Sequence, residues 1–256
     1  MSAPAYGVLR QVSATASVLL ENNPSSMTLE GTNSWVLRAT PDTPAVVVDP
    51  GYRDLEHLEL LAGVGEVELV LLTHFHPDHA EGAPWFAERA GAPVRAFDPA
   101  LCLGAPSLAD GEVISAGGLA IRVLHTPGHT GDSVSLVLDD QVLTGDTVLG
   151  RGTTVLHDLG DYLRSLRKLI ELPPGTAGLP GHGPELSDLP STAREYLAHR
   201  EQRLDQVRSA LGTLGADATP RQVVEVVYAD VDRALWAPAE LSVQAQLDYL
   251  RSEEQG

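Results

Sequence analysis

The chain holds one cysteine, Cys102, one lysine, Lys168, and no run of about 18 apolar residues. A lone cysteine forms no intramolecular disulfide, so the fold rests on a packed core or on bound metal, and an oxidising compartment has no special claim. The N-terminal segment from Met1 to Leu20 lacks the uninterrupted apolar core of a secretory leader. With no spanning segment either, the expectation is a soluble, cytoplasmic protein with no membrane partner. Positive charge is scarce: 17 Lys and Arg stand against 35 Asp and Glu in 256 residues, a formal net charge of −18. That balance disfavours action by broad neutralisation of nucleic-acid phosphates or of an anionic membrane. It leaves room for a small local anion site. Arginine almost to the exclusion of lysine, with abundant Ala, Gly and Pro, fits the coding bias of a GC-rich bacterial genome.

What is present is enough for one full globular domain and a small appendage, since 43% of the residues are hydrophobic. Strand-like runs lie at Ala45 to Val48, Val67 to Leu72, Leu119 to Leu124, Val134 to Leu138 and Gln141 to Leu143. Helical stretches lie at Asp54 to Ala62, Pro84 to Ala90 and Leu159 to Leu172, the last with Leu163, Leu166, Leu169 and Ile170 on one face. This alternation predicts a layered α/β domain. After Leu189-Pro190 strand signals stop, and helices are predicted near Ser191 to Gly212, Thr219 to Tyr228 and Pro238 to Arg251. Thr219-Pro220 offers an N-cap followed by proline at the first helical position. The expected domains are therefore 1–190 and 191–256, and 24 of the 35 acidic residues fall in the first.

The chemistry concentrates in Thr73-His74-Phe75-His76-Pro77-Asp78-His79, directly after the apolar strand from Val67. Three imidazoles and a carboxylate at a strand end are poor packing material and good metal ligands. His74 and His76 point the same way if the backbone stays extended, and Asp78 and His79 follow where Pro77 redirects it. One loop cannot close two sites, so partners are sought at other strand ends beside small residues. Three exist: His129 in Thr126-Pro127-Gly128-His129, Asp146 in Thr144-Gly145-Asp146, and His182 in Pro180-Gly181-His182. Nitrogen and carboxylate donors without thiolate suit zinc, with manganese or iron as alternatives.

In this order the residues resemble the HxHxDH, His, Asp, His pattern of the metallo-β-lactamase superfamily of hydrolases. The resemblance implies an αββα sandwich with a two-metal site, usually two zinc ions, at one edge. Carried over by position, one metal takes His74, His76 and His129, the other takes Asp78, His79 and His182, and Asp146 bridges. It further implies hydrolysis by a hydroxide bridging the metals, with Asp78 orienting it or handling its proton and Asp146 fixing the metal separation.

Within the superfamily the segment Asn23 to Asn33, the turns around His129 and His182, and the tail from His199-Arg200-Glu201 are similar to the beta-lactamase-like protein 2 group. That group ends in a winged-helix-like domain, and its animal members include single-strand-specific endoribonucleases. Asp146 is present and Cys102 stands outside every motif, which sets the chain apart from antibiotic-hydrolysing zinc β-lactamases. The expected function is hydrolysis of a small ester, thioester or related substrate. The alternative is endoribonuclease action, followed by a glyoxalase II-like thioesterase or a nucleic-acid-binding regulator using the tail. Two divalent ions, two aspartates and a hydroxide would leave about one positive charge where substrate binds, so a small anionic substrate fits and a long polyanion does not.

Other positions carry smaller expectations. Asp49 ends the strand from Ala45 and resembles the family's strand-end aspartate, an orienter of a histidine ligand. Its plainer role is a turn cap with Pro50-Gly51. His125 is either a similar support or a satisfied strand-end histidine. Asn33, in the turn after Gly31-Thr32, and His199 and Arg200 on the tail are candidate substrate contacts. The simpler expectation for Tyr196, His199, Arg200 and Arg203 is a solvated helix face, with Glu195 and Glu201 pairing the arginines.

Overall fold

The computed structural model describes residues 5–253. The first sheet runs in the spatial order β1 (Arg10–Gln11), β2 (Ala16–Leu20), β3 (Asn33–Leu37), β4 (Ala45–Val48), β5 (Val67–Leu71) and β6 (Val94–Arg95). The second consists of β7 (Val113–Ala116), β8 (Leu119–His125), β9 (Val134–Val137), β10 (Gln141–Gly145) and β11 (Ala177–Pro180), side by side in that order. Strand β4 shows why its sequence is apolar at every position. Val46 and Val48 face Trp35, Leu71, Ile121 and Leu143 in the core between the sheets, whereas Ala45 and Val47 face Leu58, Leu61 and Phe86. The latter come from α1 (Leu55–Ala62) and α3 (Ala83–Ala90), which cover the outside of the first sheet. A strand buried on both faces has no solvent side to make polar.

The outside of the second sheet is covered by α4 (Leu159–Ile170), with Leu163, Leu166 and Leu169 turned inward as their spacing predicts. The result is the αββα sandwich. The tail is helical: α5 (Leu189–Leu214), α6 (Pro220–Val227) and α7 (Trp236–Glu253). Thr219 caps α6 in a capping box with Gln222. Leu204, Val207, Val223, Val243 and Leu247 of the tail share one apolar cluster with Leu159, Leu163 and Leu166 of α4. Among the described residues no helix is long and apolar enough to cross a membrane.

Pairs β4–β5 and β10–β11 are parallel, and β8 runs the same way as β10 because two antiparallel steps separate them. The C-terminal ends of these strands therefore collect at one edge, where backbone alone is left to close the layers. There the Val134 amide donates to the Thr73 carbonyl (2.9 Å) and the Asn33 amide to that of Gly181 (2.8 Å).

Candidate metal centre

Pro77 starts the short helix α2 (Pro77–Ala80) behind His76, which is still extended at φ −59° and ψ 142°. Proline fits the first turn because no helical acceptor exists for an N–H there. The turn swings Asp78 and His79 back toward His74. Three groups of donor atoms then fall within 4.8 Å of one another: His74 with His76 and His129, His74 with His79 and Asp146, and Asp78 with His79 and His182. All seven residues singled out in the sequence are thus brought together. His76 Nδ1 lies 3.1 Å from His74 Nε2 and 3.0 Å from His129 Nε2, and His79 Nε2 lies 3.3 Å from His182 Nε2. Asp146 sits between the groups, with Oδ1 at 3.5 Å from His79 Nε2 and Oδ2 at 3.4 Å from His182 and 3.7 Å from His129. Asp78 Oδ2 reaches His182 Nε2 at 3.2 Å.

The outward bonds fix which imidazole nitrogen faces in. Thr73 Oγ1 donates to Asp49 Oδ2 (2.6 Å) and so accepts from His74 Nδ1 (3.0 Å). His79 Nδ1 donates to Asp49 Oδ2 (2.9 Å), His129 Nδ1 to the Val155 carbonyl (2.8 Å), and His182 Nδ1 to the Gly31 carbonyl (3.1 Å). With Nδ1–H directed outward on four histidines, four Nε2 lone pairs converge, an assignment made from these partners. Asp49 also accepts from the Thr73 amide (2.8 Å), so its buried carboxylate orients both the His74 and the His79 segments.

Burial lowers the pKa of His74 and of His129, and that of His76 falls to about 4 for the same reason. Burial acts in the same direction on His79 and His182, yet Asp146 first, with Asp49 or Asp78, raises both. Against burial, which would raise them, the neighbouring histidines hold Asp78 below and Asp146 well below the ordinary carboxylate range. The carboxylates thus draw positive charge into a cage of nitrogen donors, and Asp146 Oδ1 is buried with no hydrogen-bond partner. Divalent cations fit this donor set, since they satisfy the lone pairs and the orphaned oxygen together.

Two glycines let the backbone come this close. A Cβ on Gly181 would stand 2.5 Å from Asp146 Oδ1 and 2.7 Å from His79 Cε1, and one on Gly145 would stand 2.7 Å from Thr73 Oγ1. Beside the cluster opens a cavity of about 380 Å³, whose lining includes His129, Asp146, Met27, Leu149, Val155 and Arg203.

Several secondary expectations change. Asn33 does not reach into the cavity: its buried amide donates to the carbonyls of Pro180 (3.0 Å) and Gly183 (2.9 Å) and ties down the His182 turn. Of the two alternatives for His125 the satisfied strand-end histidine holds, because its ring stacks on Phe97 at 4.0 Å and its Nε2 bonds the Gly131 carbonyl (2.9 Å). The helix face at Tyr196 and Arg200 is not solvated. Tyr196 donates to the Gly152 carbonyl (2.6 Å), and Arg200, 3% exposed, donates to that of Thr154. Glu201 lies instead beside Arg167 at 3.7 Å. His199 and Arg200 do line the cavity. Sequence reasoning missed Thr73, Thr154, whose Oγ1 is 2.9 Å from His129 Nδ1, and the buried His57. A threonine beside a ligand is a signal only once the ligands are known.

Residues 27–182 match the family model described as Metallo-beta-lactamase superfamily, and residues 219–255 match that of the Beta-lactamase associated winged helix domain. The chain is 32% identical over 265 residues to the Beta-lactamase-like protein 2 homolog of Drosophila melanogaster, covering 93% of this chain and 89% of that protein. It is 32% identical over 246 residues to the atrochrysone carboxyl ACP thioesterase of Aspergillus fumigatus, covering 86% of this chain and 76% of that one. Its fold is similar to that of a beta-lactamase domain protein from Burkholderia ambifaria, with a TM-score of 0.83 at 22% identity over 99% of this chain and 90% of the other.

Proposed function

The chain belongs to the metallo-beta-lactamase superfamily, and on that footing we propose that it is a dinuclear metal-dependent hydrolase, zinc before manganese or iron, of a small ester, thioester or related substrate. The observation that carries this is the pair of inward-facing triads, His74/His76/His129 and Asp78/His79/His182, with Asp146 between them. Two divalent ions there would supply a water that ionises near pH 7 and a polarising contact for a carbonyl or phosphoryl oxygen.

The chain's own residues do the rest. Asp146 sets the spacing of the triads. Asp78, its side chain 14% exposed, is placed to orient the attacking water and hold its proton. Asp49 and Thr73 keep His74 and His79 aimed, so the donors need no rearrangement when substrate arrives. Met27, Leu29, Leu149 and Val155 give one side of the cavity an apolar lining that suits an acyl group. Similarity to a fungal thioesterase supports the thioester over other small substrates. Residues 1–190 form the catalytic domain in this proposal and 191–256 the helical one.

The test is a panel of acyl thioesters, lactones, phosphodiesters and single-stranded RNA, read beside metal analysis. We expect about two ions per chain, thioester turnover that a chelator abolishes, and none in His76→Ala. A purified protein without metal, or equal thioester turnover by His76→Ala, overturns the proposal. Cleavage of RNA at low salt with intact thioesters would replace its substrate.

A further inference from the structure

The cavity beside the cluster is built from both parts of the chain: His129 and Asp146 line it together with His199, Arg200, Arg203 and Tyr228 of the tail. Two of its arginines, Arg200 and Arg203, are held without a carboxylate. Arg10, Arg89, Arg95, Arg164, Arg167, Arg208, Arg221 and Arg251 each lie within 4.0 Å of a carboxylate. Arg151 lines the same cavity and is paired with Glu30. Among the described residues, Arg200 and Arg203 have no carboxylate at ion-pair distance; Arg38, Arg53, Arg122 and Arg194 share that lack but do not line the cavity.

Neutral groups hold these two guanidinium groups instead. Arg200 donates to the Thr154 carbonyl and lies 5.4 Å over the Tyr162 ring. Arg203 Nη1 donates to Gln206 Oε1 (2.8 Å) and to the Val227 carbonyl (3.1 Å), and its guanidinium lies 4.6 Å over Tyr228. Stacking and carbonyl contacts position a charge without cancelling it. Among the described residues Arg203 Nε and Nη2 have no hydrogen-bond partner. The surroundings register the excess: burial first, then Arg200 and Arg203, lowers the pKa of His199, whose buried Nδ1 has no partner. A preorganised, uncompensated fork beside an apolar lining is a receptor for an anionic oxygen group.

We propose that the substrate carries such a group, a carboxylate or a phosphate monoester, and that Arg203 anchors it while the scissile carbonyl lies at the metal centre. This rests on the hydrolase reading above. Arg200, 3% exposed and bonded to Thr154, is the support of this wall, and Arg203, only half buried, is its contact. One anion anchored at one arginine also reconciles the acidic chain with an anionic substrate, because a small molecule meets the local charge and a long polyanion meets the whole.

Two matched pairs of thioesters separate the sources of the anion. Glutaryl and pentanoyl N-acetylcysteamine differ by a carboxylate on the acyl side. Acetyl pantetheine 4′-phosphate and acetyl pantetheine differ by a phosphate on the leaving-group side. In one pair the charged member should show a KM lower by roughly 30-fold, as for a charge-assisted bidentate contact. Arg203→Gln should raise that KM by a similar factor while kcat and the neutral member's KM move by less than about threefold. Arg203→Lys, which keeps the charge and the helix, should fall between. Arg194→Gln, exposed on the same helix outside the cavity, should follow the parent. Equal KM within both pairs, or an Arg203→Gln effect shared by both members, overturns the proposal.

Calorimetric binding of glutarate and of pantetheine 4′-phosphate gives a readout without turnover. Arg203-dependent binding with no thioester hydrolysed would sink the hydrolase reading and keep the anion site. Hydrolysis without charge preference would do the reverse.

Discussion

The two outer triads of the metal centre are made of different chemistry and are held in different ways. His74, His76 and His129 are neutral imidazoles with depressed pKa values, and their outward contacts are a threonine hydroxyl and a carbonyl. Asp78, His79 and His182 include a carboxylate, and His79 leans on a second one, Asp49. Support on that side runs deeper still. Ser34 Oγ donates to the Asp49 carbonyl (2.7 Å) and accepts from His57 Nε2 (2.9 Å), so three layers of buried polar groups stand behind one histidine. A carboxylate behind an imidazole makes it a stronger donor to a cation than a neutral oxygen does. The two halves therefore differ in their expected grip on metal, and Asp146 couples them.

That asymmetry can be broken at its joint first. Asp146→Asn should cut turnover by more than the roughly 100-fold seen for supporting residues and leave both triads short of metal in elemental analysis. Loss of one ion alone would show that Asp146 is not shared. Asp49→Asn should weaken the Asp78 side more than the other, by about 10–100-fold in a competitive metal titration, because His79 bonds Asp49 directly and His74 only through Thr73, and equal loss from both sides would erase the contrast drawn here. Next comes His57, whose pKa burial lowers to about 4 from 6.5. A depressed pKa means the folded state resists protonation. The stability it confers is full above about pH 6.5 and declines as pH falls toward 4, by up to about 3 kcal/mol. His57→Leu should make the slope of urea midpoints across this range shallower by that share, the rest belonging to His74, His76 and His129. Smallest is Thr154→Val on the other side, below about tenfold in metal affinity, because the Val155 carbonyl continues to hold His129.

The ligands were legible because their chemistry is dense and local: three imidazoles and a carboxylate within six residues have no bland packing role, and the remaining three sit next to glycine. The layered α/β class was legible from Val-rich runs such as Ala45–Val48 and from the leucine spacing of α4, whereas the αββα sandwich came with the resemblance that the ligand pattern carries. Contacts made across the fold were not. Tyr196 and Arg200 read as solvated because Glu195 and Glu201 are near in sequence, yet α5 presses that face on the loop at residues 149–154, and no local pattern encodes that loop. Asn33 read as a substrate contact because its partners, Pro180 and Gly183, lie some 150 positions away. His57 went unremarked because a buried histidine bonded to a serine leaves no motif.

The bare backbone at Gly181 has a consequence for how this molecule could change its diet. With no room for even a methyl group against Asp146 and His79, the bed of the ligand cage is closed to variation. The opposite holds for Met27, Leu29, Thr153, Val231 and Leu235, which line the cavity beside the cage and are not among its ligands. New substrates would have to be written on those movable walls, and a library confined to them could retune selectivity while the engine beneath stays as it is.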